Sequence, residues 1–273
     1  MMEVEARGIR FNVCRLGGGP RTVVFVHGLM MDDLSSWYFT FASQIAKIAS
    51  VVLYDLRGHG KSDRPPEGYR VEDMVEDLRA LLDALGLSGE QIDLVANSYG
   101  GLVAVAFAIR EPKQVRSLVL LEAHLPDEGW AERMQNTLTL QGEDRDHMIA
   151  ESFKDWAGRR SRARSTRLTD KALALLEGTT LLCDIKESRI YSDVDLSRVN
   201  CPTLALYGEE SDLRKLGERI AQTLPRCRLE LFPNCTHSIM WEQTVAVRER
   251  LVDWFSPVDP ASREAKQERR TDL

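Results

Sequence analysis

The chain has 273 residues, of which 43% are apolar and 29% are charged, and its formal net charge is -6. This length and apolar content suffice for one domain, or for one domain with an insertion, and they argue against intrinsic disorder. Because 36 basic residues stand against 42 acidic ones, the overall charge excludes a polycation that binds nucleic acid through its net field.

The five cysteines are odd in number, scattered, and without a C-x-x-C pair. Neither a disulfide framework nor a zinc site is expected from them, and a reducing compartment fits best. The first residues, MMEVEARGIRFN, include acidic residues and no apolar signal region, and no apolar run approaches the length that crosses a bilayer. We expect a cytoplasmic protein that is not exported and does not bind membranes.

The predicted elements begin with a hairpin, because residues 3–6 and 10–14 alternate in polarity around the turn residue Gly8. Short β-branched or leucine-rich runs then predict strands that are buried on both faces. These runs are residues 22–26, 51–54, 92–95, 117–121, 203–207 and 228–232. Helical segments alternate with them, and the clearest, residues 71–85, repeats apolar residues every three or four positions. The alternation predicts an α/β fold, a mostly parallel twisted sheet with helices on both faces.

The alternation stops between residues 124 and 197, where the pattern is helical, highly charged and without a convincing strand. We interpret this stretch as a helical cap inserted into a core formed by residues 1–123 and 198–255. Residues 256–273 are polar and aperiodic, which indicates a flexible C-terminal tail. Ligands of such sheets bind beyond the carboxyl ends of the strands, so we expect the site in the loops that follow them.

The strongest motif is LVANSYGG at residues 94–101, a buried strand that runs through a small-residue turn into an apolar helix. A nucleophilic serine on such a turn needs small residues two positions away on either side, and Ala96 and Gly100 meet this need around Ser98. The turn also aims the amide of Tyr99 at an oxyanion formed beside Ser98. The alternative is that Ser98 is an ordinary helix N-cap.

This turn resembles the nucleophile elbow of the α/β-hydrolase superfamily, although Ala96 replaces the first glycine of the G-x-S-x-G pattern. Two flanking motifs agree with the resemblance, VHG at residues 26–28 and DLRGHGKS at residues 55–62. The similarity covers the core and is weak or absent in the cap. It implies an α/β-hydrolase fold and a chemistry that requires no metal and no organic cofactor.

The resemblance also implies a chain order of nucleophile, acid and histidine. Two downstream loops match, YGEESD at residues 207–212 with Asp212 and NCTH at residues 234–237 with His237. His237 would accept the Ser98 proton, and Asp212 would hold the tautomer and stabilise the imidazolium. The acid has alternatives, because Glu209 and Glu210 share the loop of Asp212, and Glu122 ends an earlier strand where some relatives place their acid.

The other four histidines are not expected to serve as the base. The resemblance implies that His27 and His59 shape loops, while His124 and His147 lie at or in the cap. It further implies that the amide of Leu29, directly after VHG, joins the amide of Tyr99 in the oxyanion hole. A glutamate in the position of Glu242, five residues after the histidine, is also frequent among relatives.

The cap contains a run of five arginines without an acidic residue among them: Arg159, Arg160, Arg162, Arg164 and Arg167. The simpler interpretation is a solvated face that pairs with nearby acids. The sharper interpretation is an entrance that recognises an anion, such as the phosphates of coenzyme A or of an acyl carrier protein. Nucleic acid is discounted because no aromatic interleaving or DNA-binding motif accompanies the run.

Together these features predict a serine hydrolase that cleaves an ester-like acyl bond through an acyl-enzyme on Ser98. A serine nucleophile argues against the related haloalkane dehalogenases and epoxide hydrolases, which use aspartate. Thioester hydrolysis on coenzyme A or carrier-protein acyl groups and hydrolysis of an activated carbon–carbon bond remain alternatives. A non-catalytic alternative is a small-ligand receptor that keeps the hydrolase fold.

Overall fold

In a computed structural model of the chain, the structure describes residues 1–30, 32–126, 128–140 and 162–256, and the side chains of residues 137 and 162–169 lie outside that description. Within these residues eight strands form one sheet in the order β1-β2-β4-β3-β5-β6-β7-β8. The strands are β1 Met2–Ala6, β2 Ile9–Leu16, β3 Thr22–Val26, β4 Ser50–Tyr54, β5 Ile92–Asn97, β6 Val115–Leu121, β7 Thr203–Gly208 and β8 Cys227–Phe232. Each predicted strand is present.

The first two strands form the predicted hairpin, with Ala6 opposite Ile9. The two turn residues, Arg7 and Gly8, both have positive φ, at 52° and 70°. Two consecutive positive φ values define the tight turn whose twist matches that of paired antiparallel strands. The turn therefore fixes the register of the antiparallel edge of the sheet.

From β3 onward the strands are parallel, and only β1 with β2 and β2 with β4 pair antiparallel. Helices of the core connect or flank them. They are α1 Leu34–Trp37, a π-helical turn Tyr38–Ala42, α2 Ser43–Ile45, α3 Val71–Ala84 and α4 Tyr99–Arg110. The predicted helix at residues 71–85 corresponds to α3, with its last residue as the C-cap.

Successive residues of the central strands enter different hydrophobic cores because side chains alternate across a sheet. Val24 and Val26 of β3 pack into a core with α3 and α4. Val23 and Phe25 pack into a second core with α1, α2 and the C-terminal helix. Both faces of the sheet are therefore covered, which confirms the predicted fold class and explains why these strands are apolar throughout.

The described residues of the predicted cap contain helices and no strand: α5 Trp130–Leu138, α6 Arg162–Glu177, α7 Leu181–Lys186 and α8 Asp193–Leu196. Three further helices follow in the core, α9 Arg214–Thr223, α10 Ile239–Glu242 and α11 Thr244–Phe255. The boundaries of the cap at residues 124 and 197 stay a prediction. Residues 257–273 of the predicted tail lie outside the described residues. In the part of the chain that is described, no helix combines the length and apolarity needed to cross a membrane.

Candidate active site

Ser98 lies in the turn between β5 and α4, at the carboxyl edge of the parallel strands. Its backbone has φ 53° and ψ -122°, a conformation that a side chain with a Cβ rarely adopts. Its hydroxyl makes no capping hydrogen bond to α4. Ser98 thus occupies the N-cap position of α4, but its hydroxyl does not cap the helix and is free to face the site, as a nucleophile elbow requires.

The small residues after Ser98 are needed because the helix passes directly over neighbouring backbone. A Cβ on Gly100 would overlap the carbonyl oxygens of Val26 and His27, and a Cβ on Gly101 would overlap Ala123. The amide of Ser98 donates to the carbonyl of Leu121 over 2.9 Å. The turn is thus clamped between the ends of β3 and β6, as the sequence pattern indicates.

His237 follows β8, and its Nε2 lies 3.2 Å from Oγ of Ser98. This separation is at the long end of hydrogen-bond reach for a nucleophile and its base in a site without substrate. The loop is held by Glu242, whose carboxylate accepts the amide and the hydroxyl of Thr236, each over 2.8 Å. Glu242 therefore shapes the backbone that carries the imidazole, and the structure joins two residues that are 139 positions apart in the chain.

The carboxylate beside His237 belongs to Glu122. Its Oε2 lies 3.3 Å from Nδ1 of His237, on the opposite side of the ring from Ser98. Glu122 is fully buried, follows β6 directly, and has a positive φ of 49°. Its carboxylate accepts the amide of Gly208 over 2.5 Å and the hydroxyl of Ser211 over 2.6 Å. Two donors thus stabilise its negative charge where the imidazole meets it.

The contact between Nδ1 and Glu122 is an ion-pair distance without the direction of a hydrogen bond. Nδ1 of His237 consequently has no hydrogen-bond partner in the described structure, although the carboxylate oxygen is 3.3 Å away. Distance governs the electrostatic interaction, and catalytic hydrogen bonds are often poorly aligned before substrate binds.

Asp212 does not take the place predicted for it, because Glu122 lies there. Asp212 is exposed, and among the described residues it makes no hydrogen bond or ion pair, with His237 or with any other group. Glu209 and Glu210 of the same loop are exposed as well. The loop contributes instead through Ser211, which the sequence interpretation missed and whose hydroxyl faces the buried carboxylate.

The histidines of the two flanking motifs support the loop that carries Leu29. Nε2 of His27 accepts the amide of Leu56 over 2.9 Å, and Nε2 of His59 accepts the amide of Met30 over 3.0 Å. Each Nδ1 lies near a backbone carbonyl, at 2.6 Å for His27 and 2.8 Å for His59. Since Nε2 accepts in both rings, the proton is on Nδ1, and burial lowers the pKa of His59 to about 3.

Leu29 lies in this loop between two residues whose amides already donate hydrogen bonds. The amide of Gly28 donates to Asp32 over 2.7 Å, and the amide of Met30 donates to His59. No acceptor for the amide of Leu29 is found among the described residues. Tyr99, as the first residue of α4, has an amide without an intrahelical acceptor. These two amides are the donors that the prediction assigned to an oxyanion hole.

The side chains of the arginine run lie outside the described part of the structure. Arg159 and Arg160 lie outside the described residues, and Arg162 and Arg164 belong to α6 with undescribed side chains. A role for the run in anion recognition stays a prediction. Within the described residues no group of His, Cys, Asp and Glu is arranged to hold a metal ion.

The family model of the alpha/beta hydrolase fold matches residues 21–244, which include Ser98, Glu122 and His237. The chain belongs to the α/β-hydrolase fold family. The family and the relatives below indicate a hydrolase, in agreement with the resemblance carried by the elbow and its flanking motifs.

Two relatives in sequence are named as hydrolases of unsaturated oxo acids. The 2-hydroxymuconate semialdehyde hydrolase of Pseudomonas sp. (strain CF600) is 38% identical over 121 residues, or 44% of this α/β hydrolase, which spans only 42% of that relative. The 2-hydroxy-6-oxononadienedioate/2-hydroxy-6-oxononatrienedioate hydrolase of Paraburkholderia phymatum is 29% identical over 260 residues and 88% of each chain.

The structure is also similar to that of a thermophilic esterase from Thermogutta terrifontis. The TM-score is 0.75 with 25% sequence identity, over 93% of this α/β hydrolase and 97% of the esterase. The proteins that this chain resembles are therefore named for different hydrolytic reactions.

Proposed function

We propose that this chain is a serine hydrolase that cleaves an ester-like acyl bond through an acyl-enzyme on Ser98. The observation that carries the proposal is the 3.2 Å contact between Oγ of Ser98 and Nε2 of His237 on a strained turn. A serine hydroxyl is a weak nucleophile by itself, and a histidine at this distance supplies the base that activates it.

In the first half-reaction, Oγ of Ser98 attacks the carbonyl carbon while its proton moves to Nε2 of His237. The carbonyl oxygen becomes an oxyanion that accepts the amides of Leu29 and Tyr99. When the tetrahedral intermediate collapses, the bond to the leaving group breaks, and the leaving group takes the proton from His237. The acyl group remains bonded to Ser98.

In the second half-reaction, a water molecule takes the place of the leaving group. His237 accepts its proton as the water oxygen attacks the acyl carbon. The second tetrahedral intermediate then collapses and releases the acid, and His237 returns the proton to Oγ of Ser98. Glu122 stabilises the imidazolium of His237 in both half-reactions. Its carboxylate lies 3.3 Å from Nδ1 and is held in place by Gly208 and Ser211. We therefore assign the acid of the triad to Glu122.

Hydrolysis of an activated carbon–carbon bond is the second candidate, favoured by one specific observation. The relative from Paraburkholderia phymatum, named for a 2-hydroxy-6-oxo dienedioate, matches 88% of each chain. The same serine attack applies, but the leaving group is a carbanion that must be stabilised by an adjacent carbonyl. Ester and carbon–carbon substrates therefore share Ser98 and His237 and differ in how the leaving group is protonated.

A fluorophosphonate probe tests the serine mechanism without knowledge of the substrate. Oγ of the activated serine displaces fluoride, so we expect wild type to gain one probe mass on Ser98. Ser98→Ala and His237→Ala should not react at a comparable rate, whereas Ser88→Ala, at an exposed serine bonded to Asp83, should react like wild type. Equal labelling of Ser98→Ala and wild type would contradict the proposal.

Substrate turnover separates the two bond classes. Purified wild type and Ser98→Ala would be assayed with short-chain aryl esters and with a 2-hydroxy-6-oxo dienoate. We expect ester hydrolysis that depends on Ser98. Turnover of the dienoate alone would shift the assignment to carbon–carbon hydrolysis, and the absence of both labelling and turnover would favour the receptor alternative.

A further inference from the structure

A second imidazole, that of His124, packs against the ring of His237. The two ring centroids are 5.4 Å apart and the planes are inclined by 54°. The backbone of His124 is also tied to the elbow, since its amide donates to the carbonyl of Ser98 over 3.1 Å. His124 thus contacts both halves of the proposed nucleophile and base pair, although it lies at the edge of the predicted cap.

The ring of His124 is held by an indole. Nε1 of Trp130, the first residue of α5, donates to Nδ1 of His124 over 3.3 Å, and Trp130 is 3% exposed. An indole nitrogen only donates, so Nδ1 must be unprotonated to accept this bond. The neutral ring therefore carries its proton on Nε2. In a charged ring the N–H at Nδ1 would point at the N–H of the Trp130 indole.

The surroundings of His124 also disfavour a charged ring. Burial is the largest cause of the lowered pKa of His124, and electrostatic interactions with His237, from the loop after β8, and with Arg133 of α5 lower it further. Glu122 lies two residues earlier on the same strand end, but its carboxylate is engaged by His237, Gly208 and Ser211. The pKa of His124 is lowered to about 3, so the ring stays neutral while His237 gains and loses its proton.

A neutral ring beside His237 can restrict the rotation of its imidazole. The side chain of His237 is 38% exposed, and its Nδ1 lacks a correctly directed hydrogen bond to Glu122. The 3.3 Å contact with Glu122 alone therefore does not fix the rotation of the imidazole. Packing from His124 restricts that rotation, and because the packing ring is uncharged it does not repel the imidazolium.

We infer that His124 is a positioning residue, which Trp130 holds in one tautomer and which keeps Nε2 of His237 directed at Ser98. This inference rests on the proposed function for its effect on rate, but the restraint on His237 is a property of the resting protein. Packing by the ring, rather than proton transfer by it, is the proposed action.

Three variants test this action. His124→Ala removes the ring, His124→Phe keeps a ring without nitrogen, and Trp130→Phe removes only the indole donor. We expect His124→Ala to reduce kcat and the rate of fluorophosphonate labelling in parallel, each about tenfold, with KM within about twofold. His124→Phe should remain within about threefold of wild type in both rates.

Equal labelling rates for His124→Ala and wild type would overturn the inference. A loss in His124→Phe as large as that in His124→Ala would also overturn it, because a nitrogen rather than the ring would then matter. Trp130→Phe should raise the pKa of His124, since the ring is then free to accept a proton on Nδ1.

Nitrogen-15 spectra of the histidine rings test the inference without catalysis, and the wild-type spectra do so without any variant. In wild type, His124 should remain neutral with its proton on Nε2 down to about pH 5. Signals of His237 should broaden or show mixed tautomers in His124→Ala but not in His124→Phe. A charged His124 at about pH 6, or a proton on Nδ1, would overturn the inference even if Ser98 proved unreactive and the proposed hydrolase function failed.

Discussion

Ser98 and Glu122 occupy equivalent places on neighbouring strands, directly after the paired residues Asn97 and Leu121. Both have positive φ, 53° and 49°, at the first position after their strands end. The two side chains therefore leave the sheet edge side by side, and His237 lies between them, 3.2 Å from one and 3.3 Å from the other. The adjacency of β5 and β6 is what places the Glu122 carboxylate beside His237.

The first prediction separates Glu122 from Asp212. Glu122→Gln keeps the shape of the side chain but removes the charge that stabilises the imidazolium, so we expect kcat to fall by about 10³ to 10⁴. Asp212→Asn changes an exposed carboxylate without a described partner, and its kcat should stay within about twofold of wild type. Steady-state kinetics on any ester that wild type hydrolyses provides the measurement.

The reverse result would restore the sequence-based choice of Asp212. Ser211→Ala serves as an intermediate control, because it removes one of two donors to the carboxylate and leaves the charge in place. We expect it to lower kcat less than Glu122→Gln does. A Ser211→Ala loss as large as that of Glu122→Gln would indicate that orientation of the carboxylate matters more than its charge.

The choice between these acids shows where the sequence was informative. Buried strands of β-branched residues and the small residues around Ser98 predict local structure, because strand burial and the tight turn depend on nearby residues. The acid depends on which of two neighbouring strand ends faces the imidazole, and both ends carry carboxylates. The burial of Glu122 and its contact with Ser211 can be inferred only when the order of the strands in the sheet is known.

The second prediction concerns the loop that carries the Leu29 amide. A side-chain substitution cannot remove that amide, but Asp32→Ala removes the acceptor of the Gly28 amide and of the Asp33 amide. We expect kcat to fall at least about tenfold with little change in KM, since an oxyanion donor contributes only when charge develops on the substrate oxygen.

Asp33→Ala is the matched control for the loop. Asp33 caps α1 through the amide of Ser35, so its loss should reduce the free energy of unfolding by about 1 kcal/mol. It should leave kcat near that of wild type. Comparable losses of kcat in Asp32→Ala and Asp33→Ala would mean that general loosening of the loop, rather than placement of Leu29, limits the reaction.

The third prediction tests the close approach of α4 to β3. Gly100→Ala places a methyl group against the carbonyl oxygens of Val26 and His27, which are backbone atoms and cannot move aside independently. We expect a loss of more than about 3 kcal/mol in the free energy of unfolding, measured by urea denaturation. Gly18→Ala meets no atom within 4 Å and should change stability by less than about 0.5 kcal/mol.

His124 illustrates the opposite difficulty, a contact with His237 that the sequence did not predict. Its position at the start of the presumed cap suggested no contact with the core site. The structure shows that the chain leaves β6, passes the elbow at His124, and enters α5 only at Trp130. Proximity to His237 arises from the meeting of two loops, and no local pattern in either loop encodes it.

The last prediction concerns stability at acid pH. His59 is 3% exposed, and burial together with the neighbouring His27 lowers its pKa from 6.5 to about 3. In the unfolded chain the ring returns to its ordinary pKa near 6.5, so the unfolded state binds a proton that the folded state rejects. The contribution of His59 to stability is complete above about pH 6.5 and is lost as the pH falls toward about 3, at up to about 1.4 kcal/mol per pH unit.

His59→Gln removes this titration while keeping an acceptor for the Met30 amide. We expect the variant to be less stable than wild type at about pH 7 and to lose stability less steeply between about pH 6 and 4, so that the two curves converge. Urea denaturation at successive pH values gives both curves, and carboxylates that titrate in this range cancel in the difference. Parallel curves for the two proteins would show that His59 binds its proton equally well in the folded and unfolded states, contrary to the effect expected from its burial.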